Sequence, residues 1–248
     1  MAWLLDLDGV VWLAGIAIPG SVDAIARLRD AGERVVFVSN NSSSTIAEQE
    51  AKLEAIGVPA HGDVLTSAAA AAGLLEPGST ALVCGGPGVV EALEHRGVTP
   101  VREPPADAVI VGFHLDFDYA RLRAAHAAVA TGARLIGTND DATYPTPQGE
   151  IPGGGAILSA VAYAASVTPA VAGKPFKPMV DAVRAVAGVG PHVMVGDRPT
   201  TDGRFARALG ATWALVLSGV TKSGELPVEP SPDLLGADLR SIVAAAGL

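Results

Sequence analysis

Two aspartates separated by one residue stand near the start of the chain, in the run Leu4-Leu5-Asp6-Leu7-Asp8-Gly9-Val10-Val11. Residues two apart in an extended segment point to the same side, so Asp6 and Asp8 aim two carboxylates at one point. One can attack an electrophile while the other moves protons, or both can help hold a hard cation. Three further polar clusters follow: Ser39-Asn40-Asn41-Ser42, Gly173-Lys174-Pro175, and Gly196-Asp197 through Thr201-Asp202. Brought together, the four supply what phosphoryl transfer needs, which is positioning and charge neutralisation around an anionic group. A carboxylate nucleophile gives an aspartyl-phosphate. A second acid protonates the leaving oxygen and then activates water. Carboxylate and carbonyl oxygens suit Mg²⁺. The Ser39 hydroxyl can donate to a phosphoryl oxygen, and Lys174 is a point charge for phosphate and nucleophile.

These clusters sit where β-strands are expected to end. The apolar run at Trp3 to Leu5 reads as a buried strand closed by a glycine turn, and Val35 to Val38 runs straight into Ser39-Asn40. In open parallel sheets, ligands bind at the carboxyl ends of the strands. Short β-branched runs alternate with alanine-rich helical stretches throughout, which predicts an α/β chain with a parallel, Rossmann-like sheet. Helices are expected over 21–31, from 42 to about 56, 67 onward, 87–96, 118–130, 155–167, 178–187 and from about 235. Asn41 or Ser42 is the expected cap of the second. Strands are expected at 80–83, 108–111, 135–138, 192–195 and, as the last, 212–217. The pattern restarts near Ser79 and again near Ala170. Residues 143–155, rich in Pro and Gly, read as a long functional loop.

The chain has 248 residues, 49% hydrophobic and 17% charged, with a net charge of -9. That suffices for one large domain or two modest ones and excludes a disordered chain. The acidic balance argues against nucleic acid as a partner. The most apolar stretch, 155–167, is short and broken by serines, so no membrane span is expected. The single cysteine, Cys84, permits no intrachain disulfide and reads as a buried strand residue. With a strand starting almost at Met1 and no room for a signal peptide, a cytoplasmic setting is expected. Gly85-Gly86-Pro87-Gly88 lacks the lysine and hydroxyl of a P-loop and reads as a strand-to-helix turn. The five histidines show no metal-ligand spacing, and Arg198 reads equally as a substrate contact or a solvated side chain.

The four clusters, in this order, resemble the motifs of the haloacid dehalogenase (HAD) superfamily. The long insertion between the second and third resembles the type IIA cap of the NagD and p-nitrophenyl phosphatase branch. Thr138-Asn139-Asp140, with Gly149 and Pro152-Gly153-Gly154-Gly155-Ala156 beyond, is similar to a loop pattern of that cap. The resemblance implies a HAD core over 1–78 and 169–248 and an inserted α/β cap domain over 79–168. It implies Asp6 as nucleophile and magnesium ligand, and Asp8 as general acid/base whose backbone carbonyl also binds the metal. Ser39 and Asn40 would hold the phosphoryl group and substrate, Lys174 would neutralise charge, Asp197 would ligate Mg²⁺, and Asp202 would support the metal site. Asp140, Asp141 and Tyr144 fall where such caps carry a substrate-specificity loop. The fourth motif departs from the pattern at Pro199 and Gly203, where larger apolar residues are usual.

What this implies is Mg²⁺-dependent hydrolysis of small phosphate monoesters such as sugar, glycerol or nucleotide phosphates, with p-nitrophenyl phosphate as a surrogate. The cap argues for a small phosphorylated metabolite as partner, and such caps pair in homodimers. Two alternatives use the same residues. A phosphotransferase or mutase would pass the phosphoryl group to an alcohol, and a phosphoacceptor signalling module would hold it without turnover.

Overall fold

A computed structural model describes residues 1–13, 15–146 and 149–248. It is an α/β protein with two open sheets, a six-stranded core sheet and a five-stranded inserted cap sheet. Two compact units result: Met1–Ser39, Ala47–Leu65 and Lys174–Leu248 form the first, and Asn40–Ile46 with Thr66–Gly173 the second.

In the six-stranded sheet the strand order is Leu234–Gly236, Thr212–Val216, His192–Gly196, Ala2–Leu5, Arg34–Ser39 and Val64–Thr66. Ala2–Leu5 runs parallel to both of its neighbours, with Leu5 opposite Val195 on one side and Phe37 on the other. Its four residues are all buried, and His192–Gly196 is buried throughout. Continuous burial without alternation marks strands covered on both faces. Trp3, Phe37, Phe205 and Trp213 are fully enclosed and fill the layers on either side. From Ala2–Leu5 the chain builds outward in one direction, then returns to build from His192–Gly196 in the other. The boundary between those two strands is therefore a topological switch point, where a crevice opens at the carboxyl ends.

The second unit carries the parallel sheet Ala170–Val171, Arg134–Gly137, Ala108–Val111, Thr80–Cys84 and Thr99–Val101. Helices Tyr119–Ala130 and Gly154–Ala165 pack on it through Ala125, Ala128, Val129, Ile157, Leu158 and Val161. Gly137 lets Leu158 lie directly on the strand, since a Cβ there would strike its Cδ atoms. The short helix Ser67–Ala72 belongs to this unit: Arg96 Nε donates to Leu75 O at 3.0 Å and Arg134 Nη1 to Leu74 O at 3.2 Å. No helix among the described residues is long and apolar enough to cross a membrane.

Four expectations change. The 143–155 loop is largely an antiparallel hairpin, Thr143–Thr146 paired with Gly149–Pro152. Prolines 145 and 152 hid it, yet in a two-stranded ribbon each strand has a free edge that tolerates a missing N–H. Thr212–Val216 is not the last strand, because Leu234–Gly236 follows it, and the closing helix starts only at Leu239. Asp238 fixes that start, its Oδ1 accepting from Ser241 N at 2.8 Å. The second helix, Ile46–Ala55, begins four residues beyond Ser42, past the position expected for its cap. Asn41 Oδ1 accepts from Ser43 N at 3.0 Å, Ser42 Oγ pairs with Thr138 Oγ1 at 2.9 Å, and Glu91 Oε2 receives Ile46 N at 2.6 Å. Lastly, two-residue strands Trp12–Leu13 and Ile16–Ala17, too short to leave a periodic signal, pair beyond Asp8.

Candidate active site

Asp6 continues the first strand by one residue, its N–H donating to Val195 O at 2.9 Å. The chain then turns sharply. Leu7 O accepts from the N–H groups of Val11 and Trp12 at 2.9 and 3.1 Å, and Gly9 adopts φ +85°. Only glycine takes that conformation without strain. A Cβ at Gly9 would moreover fall on the Asp197 carboxylate.

Lys174 is the hub of the site. Its Nζ donates to Asp6 Oδ1 at 2.9 Å and to Asp202 Oδ1 at 2.7 Å. The Lys174 and Asp202 side chains are each 1% exposed, whereas that of Asp6 keeps 15%. Of these three, Asp6 is therefore the group an incoming molecule can reach. Asp202 rides on a wide π-helical turn, Pro199–Gly203, and its Oδ2 accepts from Arg198 N at 3.1 Å. Pro199 opens that turn, where a missing N–H costs nothing. Gly203 is explained by space, since a Cβ there would lie 3.1 Å from the Trp213 indole and 2.9 Å from Pro230 Cγ.

Asp197 follows the strand His192–Gly196. Its Oδ2 accepts from Val220 N at 2.5 Å, and its carbonyl accepts from Thr221 Oγ1 at 2.6 Å. Its Oδ1 is buried with no hydrogen-bond partner. Asp6, Asp197 and Asp202 each bring one carboxylate oxygen within 4.8 Å of the others. Buried carboxylates facing one ammonium leave uncompensated negative charge, which is costly at low dielectric. A buried orphan oxygen and an excess of carboxylate are what a divalent cation with oxygen ligands would satisfy.

The ionisation of the cluster follows. Burial drives the Asp6 carboxyl well above its usual range, Lys174 pulling against it and Asp202 and Asp197 adding to it. Burial, then the neighbouring Asp202, pushes Asp197 up to about 6. Burial works against the Lys174 charge, but Asp202 and Asp6 outweigh it and hold the ammonium protonated. Asp8 is raised by burial and partly restrained by the indole N–H of Trp12, which donates to its Oδ1 at 3.1 Å. Ser39 ends the strand beside Asp6 and is 3% exposed.

The remaining expected residues lie in the second unit. Asn40 Nδ2 donates to Asp141 Oδ2 at 3.0 Å, and Asn41 Nδ2 to the Tyr144 hydroxyl at 3.4 Å. The Tyr144 ring stacks on Phe113 with centroids 4.6 Å apart. Asp140 presents its carbonyl to Gly155, where a Cβ would collide with it. Cys84 closes the strand Thr80–Cys84, and burial pushes its thiol to about 12, which suits packing and not nucleophilic attack.

Sequence reading missed Trp12, Gly219, Val220 and Thr221, and named Asn139 only within the 138–140 loop pattern, with no role of its own. Val220 acts through its backbone N–H, so its side chain leaves no signal. Trp12 lies four residues after Asp8, and only the hairpin geometry turns its indole back.

Residues 3–99 match the model of haloacid dehalogenase-like hydrolases and residues 171–242 a HAD-hydrolase-like model. The chain is 35% identical over 249 residues to the D-glycerol 3-phosphate phosphatase of Mycobacterium tuberculosis, covering 96% of this chain and 70% of that one. This chain belongs to the haloacid dehalogenase-like hydrolases. Within that family it is similar to the p-nitrophenyl phosphatase of Archaeoglobus fulgidus, with a TM-score of 0.93, 28% identity and 98% of both chains covered. It is similar also to the M. tuberculosis glycerol phosphate phosphatase in complex with magnesium, with a TM-score of 0.90, 34% identity and coverage of 97% of this chain and 75% of that one. The two sheets correspond to the core and type IIA cap of such HAD proteins.

Proposed function

We propose that this HAD-family protein is a Mg²⁺-dependent phosphatase of small phosphate monoesters. The observation that carries the reading is the cluster in which Lys174 joins Asp6 to Asp202 beside an Asp197 with a buried, unpartnered oxygen. The named activities of the relatives, on glycerol phosphate and p-nitrophenyl phosphate, support it.

Asp6, Asp197, Asp202 and the Asp8 carbonyl would hold Mg²⁺, which supplies positive charge for the phosphoryl oxygens when bound. Asp6 attacks phosphorus through a carboxylate oxygen. The bond to the ester oxygen breaks, and Asp8 gives that oxygen its proton, releasing the alcohol. Burial suits Asp8 to this task, because it raises the carboxyl and so favours its protonated form. The ionised Asp8 then takes a proton from water as the water attacks the aspartyl-phosphate. Inorganic phosphate leaves and the Asp6 carboxylate is restored. Lys174 stays protonated and restrains the charge on Asp6 throughout. Ser39 and Asn40 bind the phosphoryl group and substrate, while Asp140, Asp141 and Tyr144 read its organic part. Glycerol phosphate is the substrate class favoured by the M. tuberculosis relative.

The test is turnover of a panel of glycerol, sugar and nucleotide phosphates with Mg²⁺, beside an EDTA control and Asp6→Asn. Metal-dependent release of phosphate, abolished in Asp6→Asn, is expected. A folded, Mg²⁺-loaded protein that hydrolyses no member overturns the reading.

A further inference from the structure

Inside the second unit three side chains close a hydrogen-bonded ring. Asn139 Nδ2 donates to the backbone carbonyl of Asn40 at 2.8 Å, and Asn139 Oδ1 accepts the N–H of Asp141 at 3.2 Å. Asp141 Oδ2 accepts in turn from Asn40 Nδ2 at 3.0 Å. Asn139 is 4% exposed and fits because residue 154 is glycine: a Cβ there would lie 3.0 Å from Asn139 Oδ1. The Asn40 carbonyl takes a second bond from Ser67 Oγ at 2.8 Å, so both of its lone pairs are used.

The chemistry of the ring selects the residue. Asn139 faces a carbonyl on one side and an N–H on the other, so it must donate from one end and accept at the other in one rigid plane. A primary amide does this. A carboxylate lacks the donor, and the reversed amide would set like against like at both ends. The partners are equally telling. Asn40 follows directly on Ser39, while Asp141 belongs to the stretch leading into the 143–152 hairpin.

We propose that Asn139 is a positioning residue, fixing the backbone of Asn40 and tying it to Asp141 so that the groups meeting the phosphoryl end and the organic end of the substrate hold one register. This rests on the phosphatase reading and deepens it. Asn139 acts through Asn40 and is assigned no contact with substrate. A displacement of about 1 Å at a binding group can cost about 100-fold in rate, so release of one anchor is felt in catalysis.

The test is a double-mutant cycle in kcat/KM for glycerol phosphate, using Asn139→Ser, Asn40→Ala and the pair. Asn139→Ser alone is expected to lower kcat/KM by about 10- to 100-fold. In the Asn40→Ala background, where the side chain to be positioned is gone, the same change should cost less than about threefold. A merely structural role for Asn139 predicts effects that multiply, and that result overturns the proposal. If Asn139→Ser does not fold, Asn139→Asp serves the same cycle, since it keeps the acceptor toward Asp141 N and sets a carboxylate oxygen in place of the donor toward the Asn40 carbonyl. A wild type without turnover overturns the phosphatase reading and this proposal together. A wild type with turnover and multiplicative effects overturns this proposal alone.

Discussion

Asp6 and Asp8 are two residues apart, yet their surroundings differ. Asp6 is bound to the Lys174 ammonium and Asp8 to the neutral indole of Trp12, and in the proposed reaction the first attacks while the second transfers the proton. Trp12→Phe removes that N–H and keeps the ring. One hydrogen bond to a catalytic acid is worth about 1 kcal/mol, or about fivefold to tenfold in rate. That loss should appear with glycerol phosphate, whose alkoxide leaving group needs the proton. It should be nearly absent with p-nitrophenyl phosphate, whose leaving group departs without help. Equal losses on both would sever Trp12 from the acid step. The raised Asp197 carboxyl makes a second prediction at this scale. Without metal it holds a proton below about pH 6, and Mg²⁺ must displace that proton. Affinity for Mg²⁺ should therefore be steady above pH 7 and fall about tenfold on going to pH 5. The metal-free protein has the opposite sign. A native carboxyl raised above its unfolded value of 3.8 gains stability as pH falls through about 6 and loses it again as pH rises. Calorimetric titration with Mg²⁺ across pH tests the first statement, and thermal melts in EDTA test the second. The Asp-x-Asp pair, Lys174, Asp197 and Asp202 were all legible in the sequence, because side-chain type and order announce them. Trp12 was not, nor was a role for Asn139 within its loop pattern, because what matters in each is the direction in which a hydrogen bond points.

Elements position these residues through turns that exclude side chains. Gly219 has no left-handed backbone to explain it, but a Cβ at that position would fall on the Asp197 carboxylate. Gly219→Ala thus separates steric support of the metal site from backbone strain. It should weaken Mg²⁺ binding by about 10- to 100-fold, as loss of support around a ligand does elsewhere. Calorimetry decides this, and unchanged affinity would mean that the Asp197 carboxylate shifts without consequence. Sequence periodicity found the continuously buried strands, such as Ala108–Val111 and His192–Gly196. It missed Thr99–Val101 and Leu234–Gly236, three-residue strands at the edges of their sheets, where a short run shows no period and Pro100 argues against a strand. The hairpin at 143–152 was hidden likewise, because proline marks a breaker until its strand is known to have a free edge.

At the scale of the whole molecule, the order of strands matters more than any single one. Ala2–Leu5 and His192–Gly196 are 187 residues apart at their nearest ends, yet they pair directly and deliver Asp6 and Asp197 to one cation-binding cluster. Binding of Mg²⁺ there should stabilise the fold by mass action, by about 2.7 kcal/mol at a hundredfold excess over Kd. For a domain of this size that is a rise of about 5–10 °C in Tm. Scanning calorimetry should show the rise in Mg²⁺ and its loss in EDTA. A Tm indifferent to both would mean that the folded chain binds no Mg²⁺. The central claim is narrower and can be tested chemically: Asp6 carries the phosphoryl group during turnover. The decisive measurement is to quench the working enzyme in acid and map the phosphorylated peptide by mass spectrometry. An acid-stable, hydroxylamine-labile phosphoryl group on the peptide containing Asp6, absent in Asp6→Asn, is the predicted result. Turnover with no such species under conditions that trap acyl-phosphates, or a phosphoryl group found on another residue, would contradict it.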